Sequence, residues 1–153
     1  MANVNRMIRE VTAVNPVGVG ANIVVNVGDF LYLSSNLGVA VTALMAGNNA
    51  QVQGNAHNAF LGVSLEQHLN PQAAATIAYA ADGVWEGPCA DEAAKSIGQY
   101  YGIAGDGSNA IAQKVQSVAS YTLAIGVLTE TKAANATSVK LNIFGMTVNA
   151  PAL

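Results

Sequence analysis

The chain predicts a mainly β fold, a small β-barrel or β-sandwich with an extended N-terminal arm, on three observations. Short β-branched and aromatic runs recur between clusters of Gly, Asn, Asp and Ser, the alternation that strands and tight turns leave in a sequence. One Asp-Gly pair, Asp82-Gly83, separates two such runs. Two stretches also echo each other, Phe60-Leu61-Gly62-Val63-Ser64-Leu65-Glu66 and Ala124-Ile125-Gly126-Val127-Leu128-Thr129-Glu130. Each lies downstream of an aromatic strand opened by glycine, Gly28-Asp29-Phe30-Leu31-Tyr32 and Gly98-Gln99-Tyr100-Tyr101-Gly102.

Taken in order, residues 1–15 form an arm or first strand, apolar from Ile8 to Val14 and stopped at Asn15-Pro16, where the residue before proline is held extended. A single β-rich domain follows over 16–153. Asn22 to Val27 is β-branched and predicts a strand. Phe30 to Leu33 predicts the next, with Leu37 to Val41 pairing back across Ser34-Ser35-Asn36. Residues 42–58 read as a loop with at most one helical turn, because Gly47-Asn48-Asn49 and Gly54-Asn55 interrupt whatever helix Ala43-Leu44-Met45-Ala46 opens.

Phe60 to Glu66 is a strand ending before Asn70-Pro71. The run from Ala74 to Ala80 and Val84-Trp85-Glu86 predict a hairpin across Asp82-Gly83, since both central positions of its favoured turn need positive φ. Ala90 to Lys95 favours helix but is too short to stand alone. Gly98 to Ile103 is an aromatic strand and Gly105 to Asn109 a tight turn. Tyr121 to Glu130 and Ser138 to Phe144 form a final pair. Outside the echoing segments the halves do not align. The echo therefore reads as quasi-equivalent parts of one domain rather than as two active sites, and does not by itself establish a duplication, with Gly62 and Gly126 at bends or close backbone approaches.

Composition narrows the function. Six basic and nine acidic residues in 153 leave the surface poor in charge, while the apolar share is 52%. Charge is depleted from interface cores, so this balance points to an oligomer or a larger assembly. A net charge of −3, with the basic residues scattered, argues against a nucleic-acid partner. The single cysteine, Cys89, allows no intramolecular disulfide and suits a reducing compartment. Neither a signal peptide nor a membrane span is expected, because every apolar stretch is broken by Asn, Gly or Pro.

No constellation of catalytic residues emerges. His57 and His68 have no metal-ligand spacing, and no metal or cofactor is expected. Asp91-Glu92 and Asp82/Glu86 fit a solvated face better than acid–base work. Gly102-Ile103-Ala104-Gly105-Asp106-Gly107 lacks the Gly-Lys-Ser/Thr ending of a phosphate loop. Ser64, Ser117 and Ser120 lack a nucleophile-elbow setting, and Cys89 has no neighbouring base. Trp85, Tyr79, Tyr100 and Tyr101 fit a core, a sugar platform or an interface.

The succession Gly28-Asp29-Phe30-Leu31-Tyr32, Phe60-Leu61-Gly62-Val63, Asp82-Gly83-Val84-Trp85-Glu86-Gly87-Pro88, Ile97-Gly98-Gln99-Tyr100-Tyr101 and Ile125-Gly126-Val127-Leu128 resembles the head-decoration, or structural cement, proteins of tailed bacteriophages. The departure is Gly98-Gln99, where the family pattern has a second Gly-Asp. The resemblance implies a protein without catalysis that binds the outside of a phage capsid, partnered by the major capsid protein and by itself as a homotrimer, and located on the virion. On that basis Arg6, Met7, Ile8 and Arg9 of the arm are expected to reach the shell or a neighbour. Trp85, Tyr100 and Tyr101 are expected near a subunit interface, where aromatic anchors are enriched. The rivals are a carbohydrate-binding or adhesive β-module using Trp85 and the tyrosines, and another virion component such as a tail protein.

Overall fold

The computed structural model describes residues 6, 7 and 14–146, apart from 45 and 108. It is mainly β, in two antiparallel sheets. The strands are β1 (Arg6–Met7), β2 (Val14–Val19), β3 (Phe30–Ser34), β4 (Leu37–Ala40), β5 (Phe60–Ser64), β6 (Ala75–Ala80), β7 (Val84–Pro88), β8 (Tyr100–Gly105), β9 (Ala110–Ser117), β10 (Gly126–Leu128) and β11 (Ser138–Ile143), with one helix, α1 (Asn49–Ala59). One sheet runs β2-β6-β5-β3-β4 and the other β1-β7-β11-β10-β8-β9.

Leaving β1 aside, the two orders are the same order. β2 corresponds to β7, β3 to β8, β4 to β9, β5 to β10 and β6 to β11, and the registers agree residue by residue. Phe30 faces Val63 as Tyr100 faces Val127, and Leu31 faces Gly62 as Tyr101 faces Gly126. Val14 faces Ala80 and Asn15 faces Tyr79, as Val84 faces Asn142 and Trp85 faces Leu141. The turns correspond too. Gly28 N–H donates to Ser64 O, and Gly98 N–H to Leu128 O, with φ of 90° and 89° at the two glycines. Val25 bridges His68 as Lys95 bridges Lys132. The chain is therefore a structural repeat of one five-strand unit, a correspondence of strand order and register that the sequence shows only in its echoing segments.

Each unit curls on itself into a half-barrel. In the first, a Cβ at Gly38 of β4 would lie 3.0 Å from Val17 of β2, so the two edges meet. In the second, Cys89 bridges Val115 in parallel, with Ala90 N–H donating to Val115 O at 2.8 Å. Curling explains why β5 is buried at every position. One face, with Leu31, Leu61, Ile77 and Tyr79, fills the first half-barrel. The other, with Phe30, Phe60, Val63 and Ala80, belongs to a cluster that continues through α1 into the second half-barrel's Trp85, Tyr101, Ile125 and Leu141.

The two echoing glycines sit where backbones nearly touch. Gly62 has φ 142°, and a Cβ there would fall on the Ala80 carbonyl; at Gly126 it would lie 2.9 Å from Asn142 O. The glutamates that close the echo also do equivalent jobs. Glu66 Oε2 accepts from Ala78 N–H at 2.7 Å, and Glu130 Oε1 pairs with Lys140 Nζ at 2.9 Å, Ala78 and Lys140 being counterparts.

Five expectations need correction. Asp82-Gly83 is no hairpin: β6 pairs with β2 and β5, while β7 pairs with β1 and β11. The dipeptide is the passage between units, and the end of β11 takes the adjacent space, with Ile143 N–H on Gly83 O and Gly145 N–H on Ala81 O. Residues 22–27 hold one bridge, at Val25, rather than a strand. The predicted loop contains α1, capped by the Asn48 side chain accepting from Gln51 N–H and held by buried Val52 and Ala56. β9 fills a stretch to which the sequence assigned no element, and β2 runs through Pro16 rather than stopping there.

Candidate interaction surface

The sequence-predicted contact residues separate in space. Arg6 and Met7 form β1, laid antiparallel on the outer edge of β7 opposite Glu86 and Trp85. Ile8 and Arg9 lie outside the described residues. Trp85 is 4% exposed and Tyr101 0%, both inside the second half-barrel. Trp85 Nε1–H donates to Asp82 O at 2.9 Å, and Tyr101 O–H to Asp91 Oδ2 at 3.1 Å. Burial and the Asp91 charge push the Tyr101 hydroxyl far above its usual range. Neither ring is presented to a partner or a sugar, because strand alternation turns both into the barrel. Tyr100, one residue out of phase with Tyr101, is the exposed one.

Tyr100 belongs to an aromatic surface that sequence spacing did not bring together. Tyr121, from the turn after β9, is 53% exposed and makes an edge contact with Tyr100 at 6.0 Å between ring centroids. His57 of α1 meets Tyr121 edge-on at 4.9 Å, and Phe144, just beyond β11, meets it at 5.3 Å. The His57 Nδ1–H donates to Ala124 O at 2.6 Å, which fixes the ring. Four elements far apart in sequence thus converge on one face. The signal for it was Tyr121 itself, the one aromatic residue in the connection from β9 to β10.

Other exposed apolar residues cluster at the repeated turns. Val27 and Ile97 hold the same position, before the positive-φ glycine, and are 53% and 65% exposed. Val24 and Leu69 are exposed beside the first turn's bridge. Behind that turn His68, fully buried, places Nδ1 on Ile23 O at 2.6 Å and Nε2 on Ala73 O at 2.8 Å. Its counterpart Lys132, 3% exposed, donates from Nζ to Ala93 O at 2.9 Å, and Ala93 is the counterpart of Ile23. Both residues act as internal staples of the turn-bearing loop.

Among the described residues no cluster of three or more His, Cys, Asp or Glu side chains could hold a metal ion, and no helix is long and apolar enough to cross a membrane. Cys89 is buried, and burial together with the nearby Asp91 raises its thiol above the usual range. Neither a family model nor a curated protein matches the chain.

Proposed function

We propose that this protein is a non-catalytic structural component that decorates the outside of a bacteriophage head, binding the major capsid protein and assembling as a homotrimer. The observation that carries the proposal is the exposed aromatic face of Tyr100 and Tyr121 on a chain with so few charges. Aromatic anchors with little surrounding charge are what interface cores use, since they bury large area at low cost in side-chain entropy. The β1 strand adds a second kind of contact, main-chain pairing at a sheet edge, by which extended arms dock. Many weak contacts of these kinds suffice on a lattice, where attachment at one point raises the effective concentration of the next. The ordered Gly-Asp and Gly-Val frame supplies the resemblance to cement proteins.

The test is co-sedimentation of the purified protein with phage heads that lack a decoration protein, paired with light scattering of the free protein. Trimers that bind heads at a fixed stoichiometry, with Tyr121→Ser and deletion of residues 2–14 each weakening binding at least tenfold, support the proposal. A monomer that leaves heads undecorated refutes it. Selective glycan-array binding lost in Tyr121→Ser would favour the adhesive module, and rods or rings in solution would favour a tail component.

A further inference from the structure

A second feature, on the seam between the two half-barrels, has the character of a built binding site. Residues 111–114 of β9 stand opposite Ala104 alone of β8, a bulge with no counterpart in β4. Ala112 at its centre has φ 48°, a left-handed conformation that alanine rarely adopts. Bulges of this kind re-aim the next side chain. Here that side chain is Gln113, 4% exposed, whose Oε1 accepts from Phe30 N–H of the first unit at 2.6 Å.

The other end of the Gln113 amide is unpartnered: Nε2 is buried and has no hydrogen-bond acceptor. Gln113 lines a cleft of about 250 Å³, shared by Val24, Asn26, Asp29, Ala40, Thr42 and Ala112. Satisfying Phe30 required an acceptor oxygen only. The buried amine therefore leaves an unmet donor on a residue of the cleft wall, beside the strained Ala112, which is a poor arrangement for a mere clamp and a good one for a ligand.

The geometry points to this cleft as a binding site for a neutral peptide group presented by a protein partner, its carbonyl accepting from Gln113 Nε2. The lining sets the class. Of the Gln113 amide, Nε2 is the atom with no partner, so the ligand that completes it brings an acceptor oxygen. Asp29, 7% exposed and held by Asn26 N–H on its Oδ2, disfavours an anionic one by like-charge repulsion. The methyl groups of Val24, Ala40 and Ala112 suit the apolar flank of a peptide unit, and no aromatic ring lines the cleft to stack a sugar. The volume exceeds the roughly 30 Å³ of one water several times over. This site stands whatever assembly the chain serves.

The test is NMR of the ¹⁵N-labelled full chain titrated with N-acetyl-alanine methylamide, glucose and acetate, reading the Gln113 side-chain amide. A saturable shift with the blocked alanine, and none with glucose or acetate, is expected. Gln113→Glu keeps the oxygen for Phe30 and should weaken binding at least tenfold, read from the backbone amides of Asn26 and Ala112. Asp29→Asn keeps the shape and should admit acetate. No saturable shift with the blocked alanine, an equal response to glucose, unchanged affinity in Gln113→Glu, or continued exclusion of acetate by a folded Asp29→Asn variant would each overturn the proposal.

Discussion

The repeat makes a quantitative forecast about His68. Two carbonyl oxygens flank its ring nitrogens, at 2.6 and 2.8 Å. The position calls for a side chain that donates to backbone carbonyls, which is what Lys132 supplies in the second unit. His68→Leu removes both hydrogen bonds. At roughly 1–1.5 kcal/mol each, with carbonyls left partly desolvated, the loss should be about 2–3 kcal/mol. In a chain of this length that lowers the melting temperature by roughly 4–12 °C. His68→Lys should recover half or more of the difference, because its ammonium can reach the acceptor that corresponds to Ala93 O. Thermal and urea denaturation of the three proteins measure this directly. Equal destabilisation by lysine and leucine would refute the equivalence of the two staples, and with it the claim that the repeat extends to side-chain roles.

Two other substitutions probe the frame and its charge. Gly62→Ala places a methyl group on the Ala80 carbonyl in a backbone conformation alanine avoids, so a loss of about 3 kcal/mol or more is expected in urea denaturation, and a loss below about 1 kcal/mol would contradict the close approach. Burial raises the Asp29 carboxyl above its ordinary 3.8, with Asn26 opposing through backbone and side-chain hydrogen bonds. The folded state then holds a proton that the unfolded chain releases. The stability from this group is complete below 3.8 and is lost as pH rises through the folded value. Asp29→Asn should consequently gain on the wild type in urea midpoint between pH 3 and pH 7; a difference that stays constant or moves the other way would contradict the burial argument.

Local chemistry made much of the fold legible. Ser35 and Asn36 adopt positive φ between β3 and β4, as a tight turn after an aromatic run suggests, and β5, β8, β10 and β11 fall where apolar runs lie between breakers. What escaped was decided by tertiary contacts. α1 is rich in Asn and interrupted by Gly54; Val52 and Ala56, packed into the core, hold it rather than propensity. β9 alternates poorly because its bulge breaks the two-residue period. Asp82-Gly83 has the turn residues a hairpin needs, but β11 already occupies the edge of β7. The aromatic face was illegible for a different reason: Tyr100, Tyr121, His57 and Phe144 share no spacing, and it takes both the closing of the second half-barrel and the packing of α1 against it to assemble them.

A repeat within one chain also separates what the frame demands from what has been added to it. Positions that do the same work in both units, the glycine turns at Gly28 and Gly98, the close approaches at Gly62 and Gly126, the ties from Glu66 and Glu130 and the staples His68 and Lys132, are those needed to curl five strands. The departures lie elsewhere. α1 occupies a connection that in the second unit is only a short turn, and the β9 bulge has no partner in β4. Both departures lie against the other unit: α1 brings His57 to Tyr121, and the bulge brings Gln113 to Phe30. Two copies of a frame would give two similar surfaces, so the features that break the equivalence are where selection for a particular partner has room to act. On this argument the seam and the aromatic face, rather than either half-barrel, carry whatever is specific to this protein.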